Sequence, residues 1–258
     1  MKRNLINFLV FLMVLTLVAC SQTEAEPPGK DNPDDAEAIL TAKVIDINGP
    51  SILLANMAED AGTADIYRIS GDRIDVITDD GNKLDIKALE KGMLVDVLYD
   101  GTVQERFPMG LGGITGIYIK SQGDDIPGLY KAVIDDLYKT DPGLNGNIEM
   151  LAFNFTKSSN MTEAEKTALI YLIGEAYNIQ TVAATYEELS EQGYINKEQM
   201  YFEKGLLFTI EDQPMSGETF TFNATKWRSG LGAYFFTDCT AVKSKDGWSY
   251  TIGAEMIS

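Results

Sequence analysis

The chain has 258 residues, of which 39 are acidic and 21 basic, and its net charge at pH 7 is −18. Such an acidic surface repels the phosphates of nucleic acids and the headgroups of anionic lipids, so we expect no nucleic-acid partner. The chain contains no histidine, which removes the commonest metal ligand and the usual general base. Zinc chemistry and Ser-His-Asp hydrolysis are therefore set aside, and we expect no metal and no other cofactor.

Residues 1–19 have the pattern of a secretory signal. A basic Lys2-Arg3 head precedes an apolar run that ends at Ala19, and this run is short for a membrane span, which needs about 20 apolar residues. Its last part, Leu17-Val18-Ala19-Cys20, resembles the lipobox of bacterial lipoproteins. The resemblance implies that Cys20 is lipidated and becomes the first residue of the mature chain. The alternative is an ordinary secretion signal with an incidental cysteine.

A lipid on Cys20 would hold the protein outside the cytoplasm, on the cell membrane of a Gram-positive bacterium. The membrane would then be a partner through this lipid alone. Residues 20–37 are expected to be the lipidated cysteine and a flexible tether, because Ser21–Asp35 is rich in Pro, Asp and Glu and has no periodic apolar residues. Cys239, left without a partner in a strand-like segment, is expected to be a buried small apolar residue.

Residues 38–121 are predicted to form a first domain made of short strands. Apolar runs alternate with turn residues at close intervals, and Asp79-Asp80-Gly81-Asn82 has the glycine that a tight hairpin turn requires. The strands are expected at residues 39–47, 51–55, 64–70, 73–78, 83–86, 93–99, 102–107 and 114–120. Many short strands with almost no helix predict a small barrel or sandwich.

One family resemblance lies in this first domain. Its residues are Leu89-Glu90-Lys91-Gly92-Met93 before Val95 and Val97, then Asp100-Gly101, Glu105-Arg106-Phe107-Pro108 and Ile114. The segment is similar to the small OB-like β-barrel domains of secreted Gram-positive lipoproteins. OB-type barrels bind oligonucleotides and sugars, but this segment lacks the interleaved basic and aromatic residues that stack on nucleic acid. A spacer or protein-docking barrel is the favoured interpretation.

Residues 126–258 are predicted to form an α+β domain after a boundary at 122–125. Helical spacing of apolar residues predicts a helix over 129–138. Two capping boxes, Thr162 to Glu165 and Thr185 to Glu188, predict two further helices. Strands are expected at residues 148–155, 202–210, 219–228, 232–243 and 248–256. Helices followed by a strand meander favour an antiparallel sheet with helices on one face.

Two acidic patterns were considered as sites of chemistry. The segment from Asp141 has oxygen ligands at calcium-loop spacing, but its third position is Gly143 and its twelfth is Ala152. A turn that ends a helix is therefore predicted there. Adjacent carboxylates such as Asp79-Asp80 do not face each other across a cleft, as glycoside hydrolysis requires.

The most distinctive stretch runs from residue 224 to residue 234. It combines Lys226, Trp227, Arg228 and Tyr234 with a glycine-containing turn, and these four residues are the candidate contacts for a carbohydrate, a carboxylate or a peptide terminus. The alternative is a tight turn in which Trp227 covers the core while the cations extend their heads to water.

The function expected from these patterns is a non-catalytic binding or protein-interaction module at the cell envelope. Its partner would be a small ligand, a peptide or another envelope protein. One alternative is a carboxylate-dependent envelope hydrolase, which needs a carboxyl group of raised pKa in a pocket. The other is a purely structural lipoprotein that docks through an apolar patch or a sheet edge.

Overall fold

A computed structural model describes residues 37–58 and 64–258. The expected signal sequence, the lipidated Cys20 and the tether up to residue 36 lie outside the described residues. The described residues belong to one compact unit, and a chain that starts at Ser21 contains all of them. Among these residues, no helix is both long enough and apolar enough to cross a membrane.

The first part of the fold consists of short strands, as the sequence predicts. In chain order they are β1 (Ala38–Asn48), β2 (Ser51–Asn56), β3 (Ile66–Ser70), β4 (Val76–Ile77), β5 (Lys83–Leu84), β6 (Leu94–Tyr99), β7 (Val103–Gln104), β8 (Gly110–Leu111) and β9 (Gly116–Ser121). The β1–β2 hairpin turns at Gly49-Pro50, where Gly49 has a φ of 56°. A two-residue hairpin turn of this kind favours glycine because an L side chain resists positive φ.

The expected barrel does not close. Seven strands form one open sheet in the order β3-β2-β1-β6-β9-β4-β5, and β7 pairs with β8 apart from it. The chain turns between β3 and β4, where the Ile74 amide donates to the Gly71 carbonyl at 3.2 Å and Arg73 has a φ of 66°. This turn ends the pairing of β3 with β2. β4 then pairs at the other end of the sheet order, between β9 and β5. β4 runs parallel to β9 while the other pairs in the sheet are antiparallel.

The second part combines three helices with a second sheet, which agrees with the prediction of a β-rich part followed by an α+β part. The helices are α1 (Ile126–Lys139), α2 (Glu163–Tyr177) and α3 (Tyr186–Glu191). The strands are β10 (Met150–Lys157), β11 (Gln180–Ala183), β12 (Gly205–Asp212), β13 (Thr219–Ser229), β14 (Gly232–Ser244), β15 (Gly247–Thr251) and β16 (Ala254–Ile257).

The expected antiparallel strand meander is present in β12–β15, but the second sheet as a whole is mixed rather than antiparallel. The order is β11-β10-β12-β13-β14-β15, with β16 also on β14, and β10 runs parallel to both β11 and β12. The cause is the connection β10–α2–β11, a strand, helix and strand crossover that returns the chain in the same direction. The four-residue β11 was missing from the sequence prediction, because Gln180–Ala183 shows no strand-like alternation.

Helix α2 is buried on two sides. Leu169 and Ile173 pack into the core of the second part, whereas Ala164 and Ala168 pack against Leu53 and other residues of the first sheet. The small alanine side chains allow the helix to approach that sheet closely. A helix with apolar residues all round is a buried one, and α2 therefore joins the two parts of the fold.

A buried ion pair crosses the same contact. The Lys43 ammonium of β1 lies 2.5 Å from a Glu165 carboxylate oxygen of α2 and 3.2 Å from Asp124. Burial lowers the pKa of Lys43, but the two carboxylates outweigh this effect and raise it. At Gly92, a Cβ atom would lie 2.6 Å from the Asp124 backbone. On the other side of this segment, Lys243 of the second part donates to the Gly123 carbonyl at 2.9 Å. Residues 122–125, expected to be a domain boundary, therefore contact both parts of the fold.

Candidate functional site

The four residues predicted as contacts lie in the β13–β14 hairpin but do not converge on one cleft. Lys226 and Tyr234 are paired across the two strands, and Arg228 shares the Lys226 face of β13 because alternate residues point the same way. Trp227 therefore lies on the opposite face. It packs edge-on against Tyr186, with 5.1 Å between the ring centroids, and Tyr234 donates a hydrogen bond to Glu255.

Lys226 is fully buried, in contrast to the exposed cation that the sequence suggested. Its ammonium group donates to the Thr140 carbonyl, to the Asp141 carbonyl at 3.1 Å and to the Asn145 side-chain oxygen at 3.3 Å. These carbonyls follow the end of α1, where cations are favoured by the helix dipole. Burial nevertheless lowers the pKa of Lys226 to about 8.

Arg228 binds the next part of the same segment. It donates to the carbonyls of Leu144 and Gly146, the second at 2.7 Å, and to the Glu203 carbonyl at 2.7 Å. The segment with calcium-loop spacing is thus a turn with a short 3-10 helix after α1, as predicted. Oxygen atoms of this turn accept hydrogen bonds from Lys226 and Arg228, so these two cations of the hairpin stabilise the turn.

The tip of this hairpin is an exposed apolar surface. Leu231 is 92% exposed and Met200 is 53% exposed. They line an open depression of about 410 Å³ together with Gln199, Tyr201, Ser229 and Gly230. Three of its residues, Ser229, Gly230 and Leu231, belong to the segment 224–234 in which contacts were predicted.

A groove of about 410 Å³ lies between β10, α2 and the start of α3. The crossover connection determines its position, because β10 and β11 are parallel and both end there, and α2 and α3 begin there. In open α/β sheets, ligands bind in crevices outside the carboxyl ends of the strands. The groove volume also falls within the range of small-molecule sites, about 300–1,000 Å³.

The groove has an apolar floor and a polar rim. Phe153 and Phe155 of β10, Ile170 of α2, Ala183 at the end of β11 and Ala184 after it supply the apolar surface. The uncharged polar residues are Asn154, Thr156, Thr167 and Thr185, and the charged ones are Glu163, Lys166 and Glu188. This combination of apolar surface with a few polar groups is typical of a ligand site.

Of the two capping boxes that the sequence predicts, the one that begins α3 lines this groove. The Thr185 hydroxyl accepts from the Glu188 amide at 3.2 Å, and a Glu188 carboxylate oxygen accepts from the Thr185 amide at 2.7 Å. The hydrogen bonds that this carboxylate accepts from the Thr185 amide and hydroxyl lower the pKa of Glu188, so it stays ionised. Thr162 and Glu165 cap α2 in the same manner. Amide groups at the starts of α2 and α3 therefore already donate hydrogen bonds to side chains.

Behind the groove, a hydrogen-bond network holds the end of β10. Buried Asp212, at the end of β12, accepts from the Tyr130 hydroxyl at 2.5 Å, from the Ser158 hydroxyl at 2.8 Å and from Ser159 at 2.6 and 2.7 Å. Burial raises the pKa of Asp212, but these four hydrogen bonds outweigh it and lower the pKa. With its oxygens satisfied, Asp212 is a structural carboxylate that positions the β10 end.

The hydrolase alternative requires a carboxyl group of raised pKa in a pocket. Burial raises the pKa of Asp125, but this residue is the N-cap of α1 and accepts from the Gly128 amide at 3.0 Å. In residues 37–58 and 64–258, no three His, Cys, Asp or Glu side chains are grouped so that they could hold a metal ion.

No protein-family model matches the chain, and no curated protein matches it. The sequence contained the capping boxes that begin α2 and α3, but recognising the groove required β11, because the parallel crossover brings the two helix starts to the same edge of the sheet.

Proposed function

We propose that this protein is an extracytoplasmic lipoprotein, anchored to the membrane through Cys20, that binds a small ligand in the groove between β10, α2 and α3 without catalysing a reaction. The observation that carries the proposal is the groove itself. It is a sizeable depression with an apolar floor and a mixed polar rim at the carboxyl ends of parallel strands. Its carboxylate Glu188 has a lowered pKa, which suits a charged contact better than an acid catalyst.

A thermal-shift screen tests the binding role. The soluble chain from Ser21 is heated with cell-wall sugars, peptides, amino acids and divalent ions. A ligand present at one hundred times its Kd stabilises the folded state by about 2.7 kcal/mol, which raises the Tm of a protein of this size by roughly 5–11 °C. The variant Thr167→Trp places a large side chain on the groove wall and should abolish the shift.

The matched control is Ala176→Trp, which adds the same side chain to an exposed position of α2 that is not among the groove-lining residues. This variant should respond to the ligand as the wild type does. The groove is refuted as the site if Thr167→Trp, with a normal Tm of its own, still shows the full shift. A screen without any shift would favour the docking alternative.

Anchoring has a separate test. The wild-type chain should fractionate with membranes and incorporate a labelled fatty acid, whereas Cys20→Ala should do neither. A wild-type chain found only in the culture medium would contradict the lipobox and favour an ordinary secretion signal.

We further propose that residues 38–121 are an OB-like domain whose third strand is split. β3 and β4 are consecutive in the chain and lie towards opposite ends of the sheet order, and β4 pairs in parallel with β9. Joining β3 and β4 would close the sheet, and OB folds are partly open five-stranded barrels. This order supports the resemblance to the small domains of Gram-positive lipoproteins.

A further inference from the structure

The charges of the groove are unevenly distributed over its two walls. On the α2 wall, the Lys166 ammonium lies 2.7 Å from a Glu163 carboxylate oxygen. The Lys166 side chain is only 12% exposed and that of Glu163 is 71% exposed. On the opposite wall, Glu188 has no cationic partner among the described residues. The groove therefore contains one positive and two negative groups.

Glu188 uses one of its two oxygens for capping. Both hydrogen bonds from Thr185, the amide at 2.7 Å and the hydroxyl at 3.0 Å, go to Oε2. Within the described part of the chain, Oε1 accepts no hydrogen bond. A carboxylate has room for several donors, so Oε1 can accept from a ligand while Oε2 continues to cap the helix.

Anionic ligands are disfavoured at this site. Glu188, at the start of α3, carries a negative charge that no cation among the described residues offsets, so it repels an anion. Lys166 is already paired with Glu163. The net charge of the whole chain, −18, attracts cations and repels anions over longer distances.

We propose that the groove takes a ligand that carries a primary ammonium group on an apolar body, such as a short peptide with a lysine side chain. The ammonium group binds Glu188 Oε1 and the apolar part lies over Phe155, Ile170 and the exposed Ala183. This assignment rests on the proposed function, since it names the ligand class of the same groove.

Calorimetric titration of the soluble chain from Ser21 with three matched tripeptides tests the ligand class. All three peptides have blocked ends and two alanines, and they end in lysine, in side-chain-acetylated lysine or in glutamate. The lysine peptide should bind, because a hydrogen bond to an ionised group contributes more than a neutral one. Because Glu188 is exposed, the acetylated peptide should bind roughly two- to five-fold more weakly, and the glutamate peptide should bind more weakly still.

The variant Glu188→Gln identifies the carboxylate responsible. Glutamine also fits the capping box, so the substitution removes the charge and leaves the helix start intact. It should abolish the preference for lysine over acetyl-lysine. Glu187→Gln removes an exposed neighbouring charge that does not line the groove, and it should preserve the preference.

Each remaining outcome has a definite meaning. Equal or tighter binding of the acetylated or glutamate peptide overturns the ligand class, and so does a lysine preference that survives Glu188→Gln. In either case, if Thr167→Trp abolishes the peptide binding that was observed, the groove remains the binding site and only the ligand class fails. Absence of binding by all three peptides overturns the ligand class as well, and the thermal-shift screen then decides the binding function separately.

Discussion

The ion pair between β1 and α2 gives the sharpest stability prediction. The variant Lys43→Met removes an ammonium group whose side chain is 8% exposed and leaves the Glu165 carboxylate, which is 2% exposed, without its cation. Breaking a buried pair from one side costs about 3–5 kcal/mol. Glu165 keeps the hydrogen bond from the Thr162 amide at 2.8 Å and Asp124 is 29% exposed, so we expect the lower end of that range, about 3 kcal/mol.

Urea unfolding of the soluble chain measures this loss. The double variant Lys43→Met/Glu165→Gln leaves no charge at either position and retains a glutamine that can cap α2, so it should lie within about 2 kcal/mol of the wild type. Lys91→Met is the control, since it breaks the exposed pair with Asp46 and should cost about 1 kcal/mol or less. The reasoning would be refuted if Lys43→Met lowered the free energy of unfolding by less than about 1 kcal/mol. It would also be refuted if the double variant lost as much unfolding free energy as Lys43→Met and Glu165→Gln lose in sum.

Three further predictions concern other buried polar groups. Tyr130→Phe removes one of the four hydrogen bonds to Asp212 and should destabilise the chain by about 1.5–3 kcal/mol in urea unfolding; no change would show that the bond adds nothing. The pKa of Lys226, lowered to about 8, means that the unfolded chain binds more protons above pH 8. The stability of the wild type relative to Lys226→Met should therefore rise from pH 8 to pH 10, and a falling difference would contradict the burial argument. Burial also raises the pKa of the Cys239 thiol to about 11, so a thiol reagent at pH 8 should label it only after unfolding, and rapid native labelling would contradict its burial.

Local signals in the sequence predicted turns and helix starts. Asp80-Gly81 marked the turn between β4 and β5, and the threonines at 162 and 185 marked helix starts that the structure has with complete capping boxes. These features depend on residues within one turn of each other. Propensity and capping chemistry are therefore enough to predict them.

Long-range features were beyond the sequence. Lys226 looked like an exposed cation because the carbonyls that bind it lie more than 80 positions earlier in the chain. The parallel pairing of β10 with β11 and β12 and the ion pair between Lys43 and Glu165 depend on topology in the same way. The groove is a product of that topology, since residues 153–156, 163–170 and 183–188 meet only after the crossover has formed.

Amide chemical-shift mapping tests the central claim most directly. Soluble, ¹⁵N-labelled chain from Ser21 is titrated with the strongest ligand of the thermal-shift screen. The groove account predicts that the largest shifts fall on residues 153–156, 163–170 and 183–188 and disappear in Thr167→Trp. Shifts concentrated instead on residues 199–201 and 229–231, at the exposed hairpin tip, would contradict it and place the contact surface there.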